Sequence, residues 1–214
     1  LSSSSAASDV YKRQAVDTVA GRLEQRAAAA EGQAAEVLTA TAGMVKDRGW
    51  HKAVRKNIRT GRNAEFATVG ATDKFVTMFE AAGGVMAERT TDLKDVRDRV
   101  IAELRGEDEP GLPLVDGEAV LFADDLAPAD TATLDTKHIK ALVTELGGPT
   151  SHTAIIARQL DIPCIVAVGA ALSDIESGTL VFVDGAVGAV TLGADEEASR
   201  KAVAEYRERA ARVA

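Results

Sequence analysis

A single cysteine, Cys164, leaves this 214-residue chain without an internal disulfide or a multi-cysteine zinc site. Aromatic residues make up only 4% of it, and alanine is abundant, which favours helices over an all-β sandwich. No apolar run approaches the roughly 18–20 residues that a membrane-spanning helix needs. With neither a disulfide nor a span, the cytoplasm is the default compartment. A basic surplus is also missing, since the formal net charge is −8. Residues 15–105 carry 15 Lys/Arg and 13 Asp/Glu, net +2, whereas residues 106–214 carry 8 and 19, net −11. On that balance there is no basic stripe to neutralise phosphates, which argues against nucleic acid as a partner. The acidic half also repels small anions at long range, so phosphate chemistry there requires local geometry to attract them.

The first fourteen residues, LSSSSAASDVYKRQ, match nothing around them. A serine-rich start reads as a non-native or disordered tail, and the absence of an apolar core segment argues against a signal peptide. Residues 15–105 read as helical. Val16, Val19, Ala20 and Leu23 recur at i, i+3, i+4 and i+7, and Leu93, Val96, Val100, Ile101 and Leu104 repeat the pattern. Leu38, Met44 and Val45 suggest another apolar face, as do Phe75, Met78 and Phe79. Gly49, Gly61, Gly70 and Gly83-Gly84 punctuate the run, predicting a helical bundle with short connections.

GEDEPGLP (106–113) reads as a linker, and the character then changes. Residues 119–123, 139–144, 162–168 and 180–183 are short β-rich runs, with helical patterns at about 128–135 and 152–160. Asp184-Gly185 turns into a hairpin return at 188–192. Strands alternating with helices predict a compact α/β domain over 106–194. Residues 195–214 predict a charged terminal helix capped by Asp195.

Within the α/β part lies GGPTSHTAIIARQLDIPCIVAVG (147–169). Gly147-Gly148 permit a tight turn, Pro149 stops the strand, and Thr150, Ser151 and Thr153 suit the start of a helix. His152 then sits in a first turn, where backbone N–H groups lack intrahelical partners and the dipole favours anions. A neutral imidazole there is either a nucleophile whose phosphoryl adduct meets those donors, or an exposed inert residue. His51 and His138 have no partners at metal-ligand spacing and read as surface residues. Cys164 reads as a buried small hydrophobe, Trp50 as packing at a helix end, and Asp124-Asp125 as solvated acids.

The 147–169 segment resembles the phosphohistidine signature of phosphoenolpyruvate-utilising enzymes. AVLFADDLAPADTATLD (119–135) and DLKDVRDRVIAELRG (92–106) extend the resemblance to the N-terminal part of the enzyme I family of the bacterial sugar phosphotransferase system. The resemblance implies an α/β swivelling phosphohistidine domain with an all-α helical-bundle subdomain. His152 is then the phosphoryl acceptor through Nε2, with Thr131 holding its hydroxyl near the ring. Thr150, Ser151 and Thr153 are the phosphate-neighbouring residues, whereas Arg158, six residues beyond His152, reads as solvated or ion-paired.

The helical subdomain is expected to receive a histidine-containing phosphocarrier protein. Its contact helix falls at about 34–47, with Thr41, Met44 and Val45 on one face; the competing reading makes Met44 and Val45 core. Magnesium and phosphoenolpyruvate ligands belong in this family to a separate barrel missing from this chain, so no metal site is expected here. The resemblance also places a strand where residues 1–14 now stand, leaving the sheet one strand short and an edge exposed. Two alternatives remain: the swivelling domain of a pyruvate phosphate dikinase or phosphoenolpyruvate synthase, and a non-catalytic partner-binding module.

Overall fold

The computed structural model describes residues 3–213. Leu1 and Ser2 of the expected tail, and Ala214 of the expected last helix, lie outside the described residues. The chain divides into two compact units. One comprises the residues up to Leu114 together with Leu126–Leu134; the other comprises Val115–Asp125 and the residues from Asp135 onward. The boundary therefore differs from the expected break at 105/106, because a short helical segment inside the α/β sequence packs with the bundle.

The helical unit is built from α1 (Ser3–Ala29), α2 (Gly32–Val45), α3 (Arg48–Arg59), α4 (Ala64–Ala82), α5 (Gly84–Glu88), α6 (Thr90–Arg105) and α7 (Pro128–Ala132). Local chemistry sets the helix ends. Asp47 accepts the Trp50 N–H at 2.7 Å and Asn63 accepts the Phe66 N–H at 2.8 Å, so each caps the helix that follows. Gly106, at φ 68° and ψ 26°, ends α6 in the left-handed conformation that glycine adopts without strain. The core joins Val16, Val19 and Leu23 of α1 to Leu38 and Val45 of α2, Trp50, Val54 and Ile58 of α3, and Val96 and Val100 of α6. Trp50 is buried and donates its indole N–H to Thr72 at 3.0 Å, so the large ring leaves no orphan donor.

The described part of the expected disordered tail is helical instead. Residues 3–14 form the opening turns of α1, and Lys12 is buried there. The reason is register: Lys12 continues the apolar face of Val16, Val19 and Leu23 one turn upstream, where its aliphatic stem can pack. Its ammonium lies 3.7 Å from Asp9, although burial still lowers its pKa.

A buried charge cluster ties α6 to α7. The Arg99 side chain, only 1% exposed, donates to Asp95 at 2.8 Å, to Asp130 at 2.6 Å and to Glu109. Arg26 of α1 grips the same Glu109 carboxylate with both terminal nitrogens, at 3.0 and 2.9 Å. Burial opposes ionisation of Glu109, but Arg26 and Arg99 outweigh it and hold that carboxyl below its ordinary range. Asp95 goes the other way. Burial, reinforced by Asp130 and Glu109, pushes it up to about 6 against the pull of Arg99.

Three carboxylates facing two guanidinium groups leave one negative charge in excess, and Asp95 is where a proton relieves it. Because Asp95 has a higher pKa folded than unfolded, its contribution to stability is fully present below about pH 4 and is lost as pH rises through about 6. Asp95→Asn is expected to flatten that slope, by about 1–3 kcal/mol between pH 4.5 and 7. Urea midpoints of both proteins at the two pH values provide the check.

The α/β unit contains β1 (Ala119–Ala123), β2 (Ile139–Thr144), α8 (His152–Gln159), β3 (Cys164–Ile165), β4 (Val181–Asp184), β5 (Ala189–Leu192) and α9 (Glu196–Val213). The first three strands make a parallel sheet in the order β1-β2-β3, with β2 central and almost wholly buried. The last two form a separate antiparallel hairpin. The run expected as a strand over 162–168 pairs over only two residues. Pro163 lacks an N–H to donate, and Ala167 turns the chain at φ 59°. Asp195 caps α9 by accepting the Ala198 N–H at 2.7 Å.

Candidate functional site

The site begins with the βαβ unit β2–α8–β3. Parallel strands joined by a helix put the β2–α8 loop beyond the carboxyl end of the central strand, where open α/β sheets place their ligands. Gly147 takes φ 91° there, a region that disfavours a β-carbon.

The loop is tied on both sides. The N–H groups of Glu145 and Leu146 donate to Ala123 and Asp124 carbonyls at 3.0 and 2.9 Å. From the other flank, Ala167, Val168 and Gly169 N–H groups donate to Leu146, Thr144 and Glu145 carbonyls at 3.2, 3.2 and 3.1 Å. The Thr144 hydroxyl closes the turn by donating to the Leu146 carbonyl at 2.8 Å.

On this frame Ser151 caps α8. Its backbone is extended, and its hydroxyl oxygen accepts the Ala154 N–H at 3.2 Å. His152 follows as the first helical residue, and it is exposed. No side chain of its own unit hydrogen-bonds the ring among the described residues. Thr150 is exposed beside it, Ser151 is half-buried, and Thr153 points inward and is buried. The structure thus presents an unencumbered imidazole at the positive end of a helix dipole, on a loop whose backbone is fixed. That arrangement suits attack by a ring nitrogen on an incoming electrophile whose negative charge the helix end favours.

Thr131 falls in the helical unit, on α7, whereas His152 falls in the α/β unit. The Thr131 side chain is buried and its hydroxyl donates to the Ala127 carbonyl at 3.2 Å. α7 packs on α2, and Asp130, the neighbour of Thr131, is the residue held by Arg99. This anchor was missed from sequence, although a signal existed. Arg99 lies on the apolar face of α6, between Val96 and Val100, four residues after Asp95.

The face of α2 expected to dock a partner is a packing face. Thr41 and Val45 are buried and Met44 packs against the core, because α2 lies against α1, α6 and α7. The Thr41 hydroxyl is consumed by the Val37 carbonyl at 3.0 Å. The expectation that these three residues form a docking surface is therefore corrected.

Other expectations shift less. His51 is half-buried rather than superficial, with its ring edge-on to Trp50 at 5.3 Å, and burial and Lys12 lower its pKa. His138 is partly exposed and pairs with Asp135 at 2.9 Å. Cys164 is only half-buried; burial raises its pKa, partly offset by Arg158, which is itself exposed. Among the described residues no group of three or more His, Cys, Asp or Glu side chains is placed to hold a metal ion. No described helix is long and apolar enough to cross a membrane.

Residues 11–89 match the family described as PEP-utilising enzyme, N-terminal, and residues 115–188 match PEP-utilising enzyme, mobile domain. The NMR solution structure of an enzyme I protein, nEIt, superposes with a TM-score of 0.69 at 30% identity, covering 97% of this chain and 86% of that one. The chain belongs to the enzyme I family.

A phosphoenolpyruvate-protein phosphotransferase of Streptomyces coelicolor is 43% identical over 94% of the chain, and one of Bacillus subtilis is 38% identical over 82%. The chain spans 36% and 30% of the length of these two relatives, so it corresponds to the N-terminal part of an enzyme I. The N-terminal domain of a nitrogen-type enzyme I shares the fold at 21% identity and a TM-score of 0.55. The mobile-domain match spans the β2–α8 loop and His152, and the N-terminal match covers most of the bundle.

Proposed function

We propose that His152 carries a phosphoryl group between phosphoenolpyruvate, bound by a barrel outside this sequence, and a histidine-containing phosphocarrier protein. The single observation behind this is the exposed imidazole of His152 as first residue of α8, on a loop hydrogen-bonded from both sides. In exchange with the carrier, the lone pair of His152 Nε2 attacks phosphorus. An N–P bond forms there as the carrier's own N–P bond breaks, and the carrier's imidazole keeps that electron pair. Membership of the enzyme I family, with relatives named phosphoenolpyruvate-protein phosphotransferase, supports this reaction class.

The neighbours take supporting roles. Thr150, exposed, is placed to hydrogen-bond a phosphoryl oxygen, and Ser151 and Thr153 shape the helix start around it. Thr131 is proposed to orient the ring, since its hydroxyl spends its proton on Ala127 and keeps acceptor capacity for an imidazole N–H. Magnesium serves the phosphoenolpyruvate step of the whole protein, through ligands outside this sequence. Work in the cytoplasm follows from the same role.

The test mixes the chain with phosphorylated carrier. A phosphoprotein that is acid-labile and base-stable supports the proposal. Binding of the carrier with no transfer favours a non-catalytic docking module instead.

A further inference from the structure

Every residue of β2 after Lys140 is buried, and all but the last are apolar. That last residue is Thr144, only 1% exposed. Valine has the same shape, suits a buried strand equally well and brings no polar atom to satisfy. The hydroxyl therefore needs a partner, and it finds one beyond the strand, in the Leu146 carbonyl at 2.8 Å.

That bond acts on the geometry of the loop. The Leu146 carbonyl belongs to the planar peptide unit shared with Gly147, so holding the oxygen holds the plane and the direction in which the chain leaves it. Gly147 continues from there at φ 91°. A β-carbon built on Gly147 would lie 3.8 Å from the Thr144 hydroxyl and 3.6 Å from the Ser151 hydroxyl, ordinary contact distances that put both oxygens on the same side of this glycine. One further turn, closed by the Ser151 N–H on the Gly148 carbonyl at 2.9 Å, leads to the cap of α8 and then to His152.

The neighbouring ties run through the backbone. Ala167 donates its N–H to the same Leu146 carbonyl at 3.2 Å, and Val168 donates to the carbonyl of Thr144 itself at 3.2 Å. Ala167 makes its bond at φ 59°, a conformation that strains an L-residue and persists only where the surrounding structure enforces it. These ties do not depend on the Thr144 side chain. Its hydroxyl can be removed without freeing the end of β2 and without leaving the Leu146 carbonyl unpaired.

We propose that Thr144 is a positioning residue for phosphoryl transfer, acting through the Leu146 carbonyl on the place and direction of the His152 ring. The role rests on the function proposed above for His152. Attack on phosphorus needs the ring nitrogen at close range and in line with the bond that breaks, and a misplacement of about 1 Å can cost about 100-fold in rate. A loop whose Leu146–Gly147 peptide tilts freely presents the imidazole over a range of directions, so fewer encounters are productive. The effect falls on the rate within the complex, not on its formation.

The experiment follows a single turnover from phosphorylated carrier to the full chain over a range of carrier concentrations. Thr144→Val is expected to lower the rate at saturation by about tenfold or more, with the half-saturating concentration within about twofold of wild type. Thr144→Ser, which restores the hydroxyl, is expected to recover most of the rate. Amide exchange, read in parallel, is expected to be about fivefold faster at Ser151 and Ala154 in Thr144→Val than in wild type or Thr144→Ser. Far-UV circular dichroism fixes a temperature at which all three proteins are folded. A wild-type rate in folded Thr144→Val overturns the proposal, even if the variant melts earlier, because the bond then serves stability alone. A raised half-saturating concentration with an unchanged saturating rate overturns it too, by moving the hydroxyl's effect to carrier binding. Slower transfer with unchanged exchange at both amides overturns the route through the Leu146 carbonyl. A wild-type chain that takes no phosphoryl group at His152 removes the function on which the proposal rests, and that result is read from the wild type before any variant is made.

Discussion

Replacing His152 with glutamine is expected to reduce phosphoryl acceptance from the carrier by about 10⁴-fold or more. The residue is the proposed nucleophile itself, so no neighbouring group substitutes for the lost ring nitrogen. Folding should scarcely notice. The side chain is exposed, no described group of its own unit hydrogen-bonds it, and glutamine is a good helix former. The Ser151 cap on the Ala154 N–H is also untouched. A change within about 0.5 kcal/mol of wild-type stability is therefore expected. Carrier binding should persist as well, since the helical unit expected to receive the carrier is untouched. The diagnostic combination is lost labelling with retained binding and an unchanged urea midpoint. Labelling at the wild-type level would show that another residue accepts the group.

The second large effect is expected far from that ring. Arg99→Met should destabilise the chain by about 3–5 kcal/mol, the usual consequence of removing one partner from a buried ionic cluster. Methionine replaces the stem of the arginine well enough, so the loss is electrostatic. Asp95, Glu109 and Asp130 would remain at 8, 12 and 19% side-chain exposure, with only Arg26 still paired to Glu109. Arg99 is so firmly bound that, although burial opposes its charge, its hydrogen bond to Asp95 and the fields of Asp95 and Asp130 raise its pKa above the ordinary guanidinium range. Arg99→Lys keeps the charge but not the three-way fork, and an intermediate loss is expected. Because Asp130 precedes Thr131 on α7, hydrogen exchange of the α7 amides should accelerate in Arg99→Met more than that of the α8 amides. Uniform acceleration in both helices would mean that the cluster holds the whole molecule rather than α7.

Much of this was legible from residues because the physics was local. The helix start among Thr150, Ser151 and Thr153, the turn at Gly147, the hairpin after Asp184 and the cap at Asp195 depend on a few neighbouring atoms, and the chain spells them out; which of the three hydroxyls caps α8 took the structure to show. The apolar period of α1 and α6 was equally plain. What stayed hidden depended on residues far apart in sequence. Arg99 meets Asp130, 31 residues further on, only once α7 has folded onto the bundle, and no short window of sequence contains that contact. The face of Thr41, Met44 and Val45 was ambiguous for the same kind of reason. Helical spacing shows that three residues share a face, but not whether solvent or α7 covers it. Residues 3–14 were misjudged from composition, because the serines outweighed the single registered position of Lys12. The exposed cations that α3 gathers, Arg48, Lys52, Arg55, Lys56 and Arg59, were lost to averaging, since charge summed over ninety residues says nothing of how it is arranged around one helix.

The most direct measurement locates the phosphoryl group. The chain is labelled by phosphorylated carrier, digested at alkaline pH where phosphohistidine survives, and mapped by mass spectrometry. The account predicts a single added phosphoryl group on the peptide containing Gly147–Arg158, at His152 and removed by mild acid. A phosphoryl group on His51 or His138, or one on a serine or threonine that withstands acid, would contradict it.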